Sequence, residues 1–181
     1  VSPSMDILIS SNLERLLYIL CGRNSDTIND WFGKLKTDGK YEVSEDVKKE
    51  ITDLFYAGCC DDDMTKVTIG ETYNTYGYLA DTHTSVAINV CDAYMKATGD
   101  VTPVVIASTA SPFKFSKAVL DAVEVEGKDY PDEFSTVAAL EEISSLKAPE
   151  QLSALKGKEV RFTKVTSKEN MADVVFDMLG I

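Results

Sequence analysis

No apolar run in this 181-residue chain is long enough to span a bilayer. The opening Val1-Ser2-Pro3-Ser4 has neither the basic segment nor the apolar segment of a signal peptide. Positive charge is scarce: 18 Lys and Arg stand against 30 Asp and Glu, a formal net charge of −12. Such a chain opposes phosphate backbones and anionic lipid, so neither nucleic acid nor membrane is the expected partner. Cysteine is limited to Cys21, Cys59, Cys60 and Cys91, with no C-x-x-C spacing. The adjacent Cys59 and Cys60 cannot readily bridge each other without strain. Reduced thiols and a cytoplasmic location are therefore expected. Asp61-Asp62-Asp63 lies beside that pair but lacks the ligand spacing of metal sites. It reads as a helix start, where acidic side chains cap and complement the dipole. No internal repeat and no low-complexity segment is visible.

What is present is ordinary for a globular protein: 44% hydrophobic and 27% charged residues, enough for a core of one domain. Ser11 with Glu14 suggests a capping box before Leu13, Leu16, Leu17 and Leu20 at helical spacing. Asn24-Ser25-Asp26 and Ser44-Glu45-Asp46 open two further helices; Gly22 and Asp38-Gly39 close the first and second. Residues 61–76 carry mixed signals, and we read them as helix, partly on the resemblance given below. Asp81 to Thr84 open a helix whose expected buried face is Val86, Ala87, Val90, Tyr94 and Ala97. Short helices are expected at 135–146 and 149–156, a strand at Val160-Arg161-Phe162-Thr163, and a final helix capped by Ser167.

The densest signal is Val104-Val105-Ile106-Ala107-Ser108-Thr109-Ala110-Ser111-Pro112-Phe113-Lys114-Phe115. A β-branched run ends in hydroxyls, and Pro112 opens an amphipathic helix through Val123. That predicts strand, short turn, helix. Ligands of α/β sheets sit beyond the carboxyl ends of strands, so Ser108 and Thr109 are placed to meet one. The simpler reading is local: Ser111 caps the helix, with Pro112 at its first position.

Thr109-Ala110-Ser111-Pro112-Phe113-Lys114-Phe115 resembles the Thr-Ala-His-Pro-x-Lys-Phe signature of threonine synthases. Ser2-Pro3-Ser4-Met5-Asp6-Ile7, with Asn12 and Arg15, resembles the family's Ser-Pro-x-Met-Asp…Asn-x-x-Arg segment. Tyr76-Gly77-Tyr78-Leu79, Asp81, Thr82, His83 and Thr84 are similar to its Gly-Tyr-x-x-Asp-Pro-His-Thr segment. Two departures stand out: Ser111 where many members have His, and Thr82 where many have Pro.

The resemblance implies a pyridoxal-phosphate enzyme. The expected fold class is α/β and helix-rich, part of a tryptophan-synthase-β-like (fold type II) domain with few strands. Residues 1–125 are expected to form the C-terminal portion of the cofactor-binding catalytic domain. Residues 126–181 are expected to form a C-terminal α/β tail packing on it. The implied reaction converts O-phosphohomoserine and water to threonine and phosphate. In this fold type a hydroxyl meets the pyridine nitrogen. A carboxylate would hold that nitrogen protonated, whereas a hydroxyl donates to it unprotonated. Motif alignment gives this role to Thr109.

Lys114 falls in the C-terminal signature and is not the Schiff-base lysine. That lysine and the glycine-rich phosphate loop are expected upstream of Val1, so no catalytic residue is assigned within the chain. The chain is then expected to be a C-terminal part, inactive alone, whose partner is the missing N-terminal half. His83, the single histidine, is expected to be a locally hydrogen-bonded structural residue, with a place behind cofactor or substrate as the alternative. Met5, Asp6 and Asn12 carry the match without a derivable role. Two other readings remain open at this point. One is a non-catalytic acidic interaction module. The other is a different enzyme of the same fold type, such as a dehydratase or a cysteine synthase.

Overall fold

A computed structural model describes residues 1–2, 7, 9–124 and 128–181, so Met5 and Asp6 lie outside the described residues. The described chain is helical, and it divides into two compact units, Val1–Lys147 and Ala148–Ile181.

In the first unit, α1 (Ser11–Leu20), α2 (Ser25–Asp38) and α3 (Glu45–Leu54) form a small bundle. Leu17, Ile28, Trp31 and Val47 are its buried centre, flanked by Leu20, Phe32, Tyr41, Val43 and Ile51. Tyr41 stacks on Trp31 and Phe32, with ring centroids 6.3 and 5.6 Å apart. The starts of α2 and α3 are as the sequence predicts: Asn24 accepts from Thr27 N–H at 3.0 Å and Ser44 from Val47 N–H at 3.4 Å. For α1 the cap is Ser10, not Ser11. Ser10 has the extended backbone a cap requires, and its hydroxyl accepts from Leu13 N–H at 3.3 Å.

Four further helices are found among the described residues of this unit: α4 (Asp62–Tyr76), α5 (Thr82–Thr98), α6 (Ser116–Val123) and α7 (Glu133–Ser144). α4 packs on α5 and α6, and α6 packs on α7. Much of this interior is hydroxyl-bearing. Thr65, Thr68, Thr72, Thr136 and Ser116 are buried with Ile69, Val119, Leu120 and Leu140. Thr65 and Thr68 satisfy their hydroxyls by donating to the carbonyls of Asp61 and Met64, at 2.6 and 2.8 Å. The Ser116 and Thr136 hydroxyls pair at 2.7 Å and tie α6 to α7. Residues 61–76 are thus helix, as read. The buried threonines are what made their pattern ambiguous.

Two expected strands do not form. Residues 101–109 and 160–163 are neither helix nor sheet, and no strand occurs among the described residues. A strand needs the N–H and C=O groups of a neighbour, and residues 100–108 instead run back along α5. Tyr94 near the end of α5 donates to the Asp100 carboxylate at 2.9 Å. Thr84 near its start contacts Ser108 at 3.2 Å. The apolar residues between stay out of the core: Val101 is 88% and Val105 95% exposed. The helix-rich part of the expectation holds, and its α/β part is corrected: the described residues contain no sheet.

The expected face of α5 is corrected as well. Val86, Val90 and Tyr94 are only half-buried, and Ala87 and Ala97 are exposed. Its buried residues are Thr82, Thr84 and Ser85, in its first turn. After Ser111 the chain makes a 3-10 turn, Pro112–Phe115, before α6. Ser111 does not cap with its side chain; its carbonyl accepts from Lys114 N–H at 3.0 Å.

The second unit holds α8 (Glu150–Ser153), a 3-10 turn (Lys168–Asn170) and α9 (Met171–Leu179). Ser167 makes no side-chain cap bond. Val160 and Phe162 are largely exposed. No described helix is long and apolar enough to cross a membrane.

Candidate functional site

The site is built on the first turn of α5. Asp81, with extended backbone, caps this helix: its carboxylate accepts from His83 N–H at 2.8 Å and Thr84 N–H at 3.1 Å. The Thr84 hydroxyl donates to the other carboxylate oxygen. Asp81 is completely buried. A carboxylate out of water is costly unless hydrogen-bonded. Three donors and the positive end of the helix dipole supply what water would have. The Ser85 hydroxyl closes the turn by donating to the Asp81 carbonyl at 2.8 Å.

Two contacts join this turn to the 108–115 segment. The Thr84 hydroxyl bridges the Asp81 carboxylate and the Ser108 hydroxyl, the latter at 3.2 Å. The His83 ring meets Phe115 edge-on, with centroids 4.7 Å apart and planes at 71°. His83 Nδ1 also pairs with the Ser2 hydroxyl. His83 is thus held by two side chains distant from it in sequence. Between the two contacts lies the turn 109–114. Thr109 is exposed and outside any helix. Downstream, Phe113 is buried and fixes the 3-10 turn.

The remaining sequence candidates fall apart from this pairing. Lys114 is exposed, its Nζ lying 5.5 Å from the Phe115 ring centre. Asn12 accepts from the Arg15 guanidinium one turn along α1. The sequence reading missed how Thr84 and Ser108 meet. The available signal was Asp81 followed three residues later by Thr84 at a helix start, the spacing at which a capping carboxylate also reaches a hydroxyl.

Asp100, at the start of the returning segment, is held below its ordinary range. The cause is hydrogen bonding, first from Thr102 and then from Tyr94. Tyr94 is correspondingly raised by that bond and by the Asp100 charge. A cleft of about 680 Å³ lies between α4 and α5, lined by Thr68, Glu71, Asn89, Asp92 and Lys96 among others, and Thr109 is not one of them.

The turn offers neutral hydroxyls at Ser108 and Thr109, with the Asp81 carboxylate sealed behind Thr84. This donor set fits a neutral hydrogen bond to a heteroaromatic nitrogen, and so one edge of a pyridine cofactor. It does not make a complete cofactor site, since no glycine-rich phosphate loop occurs between Val1 and Ile181.

A family model described as "Threonine synthase, C-terminal" matches residues 84–175. Threonine synthase-like 1 of Homo sapiens is 34% identical over 125 residues, covering 69% of this chain and 16% of that protein. The crystal structure of threonine synthase from yeast superposes with a TM-score of 0.75 at 27% identity, over 99% of this chain and 36% of that one. The structure of PLP-bound threonine synthase from Brucella melitensis gives 0.62 at 35% identity, over 81% of this chain and 29% of that one. The chain thus spans about a third or less of these relatives.

Proposed function

Since this chain belongs to the threonine synthase family, we propose that it forms the C-terminal part of a pyridoxal-phosphate-dependent threonine synthase. The proposed reaction takes O-phosphohomoserine and water to threonine and phosphate, in the cytoplasm. When bound, the cofactor supplies the electron sink for proton movements at Cα and Cβ and for departure of the γ-phosphate. The chain's own part is narrower. The Thr109 hydroxyl donates to the pyridine nitrogen and leaves it unprotonated. Ser108 and α5 hold the turn that presents it. Residues 1–125 belong with the cofactor domain and 126–181 form the tail.

The observation that carries this reading is a meeting in space. The two stretches most similar to the family, around Asp81–Thr84 and Thr109–Phe115, touch at Thr84–Ser108 and His83–Phe115. The lysine motif and phosphate loop absent from Val1–Ile181 are then contributed by the rest of the protein. Proximity and orientation supply on the order of 7–11 kcal/mol to such chemistry, so an unpositioned surface lysine does not replace them. The test is to mix the purified 181-residue chain with pyridoxal phosphate, record the visible spectrum, and assay phosphate release from O-phosphohomoserine. The reading expects no stoichiometric cofactor band and no turnover. Adding the N-terminal half should restore both. Turnover by the isolated chain would contradict it.

A further inference from the structure

We propose that Asp81 and Thr84 are positioning residues, whose hydrogen-bond bridge to Ser108 fixes the turn that presents Thr109. The purpose of the bridge rests on the role given to Thr109 above; its existence does not. The 109–112 stretch lies between two anchors. Downstream, Phe113 is buried at 4% exposure. Upstream, the Thr84–Ser108 contact at 3.2 Å holds the residue immediately before Thr109. Further back the segment is tied by Thr102 N–H to the Asp100 carboxylate at 2.8 Å. From Thr102 to Ser108 the side chains are mostly exposed, with only Ile106 half-buried. Loss of the Ser108 anchor therefore lengthens the loosely held stretch from a few residues to most of the segment. The ordering cost of the turn rises with it.

Thr84 is suited to this task because of what stands behind it. Its hydroxyl is itself held by a fully buried carboxylate, which also accepts from two N–H groups of the same turn. The rigid end of α5 is thereby extended by one side chain to the segment beside it. The His83–Phe115 contact is a weaker fixing, since an aromatic edge contact tolerates sliding. The arrangement also gives the Asp-x-x-Thr spacing of residues 81–84 a purpose beyond capping, which Asp81 accomplishes through backbone N–H groups alone.

The test uses the 181-residue chain without cofactor and reads backbone ¹⁵N order parameters. Thr84→Val keeps the branched shape and removes the hydroxyl. Thr84→Ser keeps the hydroxyl. Ser108→Ala cuts the same contact from its exposed side, and decides the matter if Thr84→Val does not fold. The expected result is a fall at residues 108–111 from about 0.85, typical of rigid backbone, to below about 0.6 in Thr84→Val and Ser108→Ala. Thr84→Ser should stay near 0.85, and α1–α3 should be unaltered in all three. Unchanged values at 108–111 in both Thr84→Val and Ser108→Ala would overturn the proposal. So would an equal loosening of α1–α3, which marks a general loss of stability. Because no cofactor is involved, the bridge can pass this test even if Thr109 proves to have no part in catalysis.

Discussion

Thr82 is the residue most at odds with its surroundings. It is completely buried, and its hydroxyl has no hydrogen-bond partner among the described residues. It occupies the first position of α5, where threonine synthases often carry the proline suited to that position. An unmet buried donor costs about 1–3 kcal/mol. Thr82→Val keeps the shape and removes the hydroxyl, and should stabilise the chain by about 1 kcal/mol, seen as a higher urea midpoint with an unchanged slope. A lower midpoint would mean that the hydroxyl has a partner. At this scale the sequence was legible in identity but not in contact. The resemblance picked out Asp81, His83, Thr84 and Thr109, yet nothing in linear spacing places Thr84 against Ser108, twenty-four residues on. That contact exists only because the chain doubles back along α5.

Among elements, helix starts were the most legible feature, because one side chain and one local geometry decide them. Asn24, Ser44, Asp61 and Asp81 cap as their types predict, whereas Ser11, Ser111 and Ser167 do not. Strands were the least legible, because a β-branched run specifies a strand only when a neighbouring strand meets it. Val104–Ser108 meets a helix instead. Helix packing supplies a paired prediction. Gly70 lies in α4 where a Cβ would stand 2.7 Å from the Ala122 carbonyl oxygen of α6. Backbone cannot yield as a side-chain tip can, so Gly70→Ala should cost about 1–3 kcal/mol by forcing α4 and α6 apart. Gly33 lies in α2 with open space about it. Gly33→Ala should add about 0.5–1 kcal/mol through helix propensity alone. Thermal melts of the two variants should move in opposite directions; a shift in the same direction would show that the α4–α6 spacing is wrong.

For the whole molecule, the helix-rich arrangement and the exposed valines before Ser108 suit a part of a larger protein. In the proposed reading, the covalent anchor comes from the rest of the protein. The central claim is that this part contributes one neutral hydroxyl, at Thr109, to a cofactor site completed by the rest of the protein. The most direct measurement is phosphate release from O-phosphohomoserine, with the cofactor's visible spectrum, in the full-length protein carrying Thr109→Val or Thr109→Ser. The account predicts a folded Thr109→Val protein with an altered spectrum and turnover reduced about 100-fold or more, on the scale of removing one positioned hydrogen-bond donor. It predicts that Thr109→Ser keeps most activity. Full turnover by Thr109→Val, with the spectrum unchanged, would contradict it.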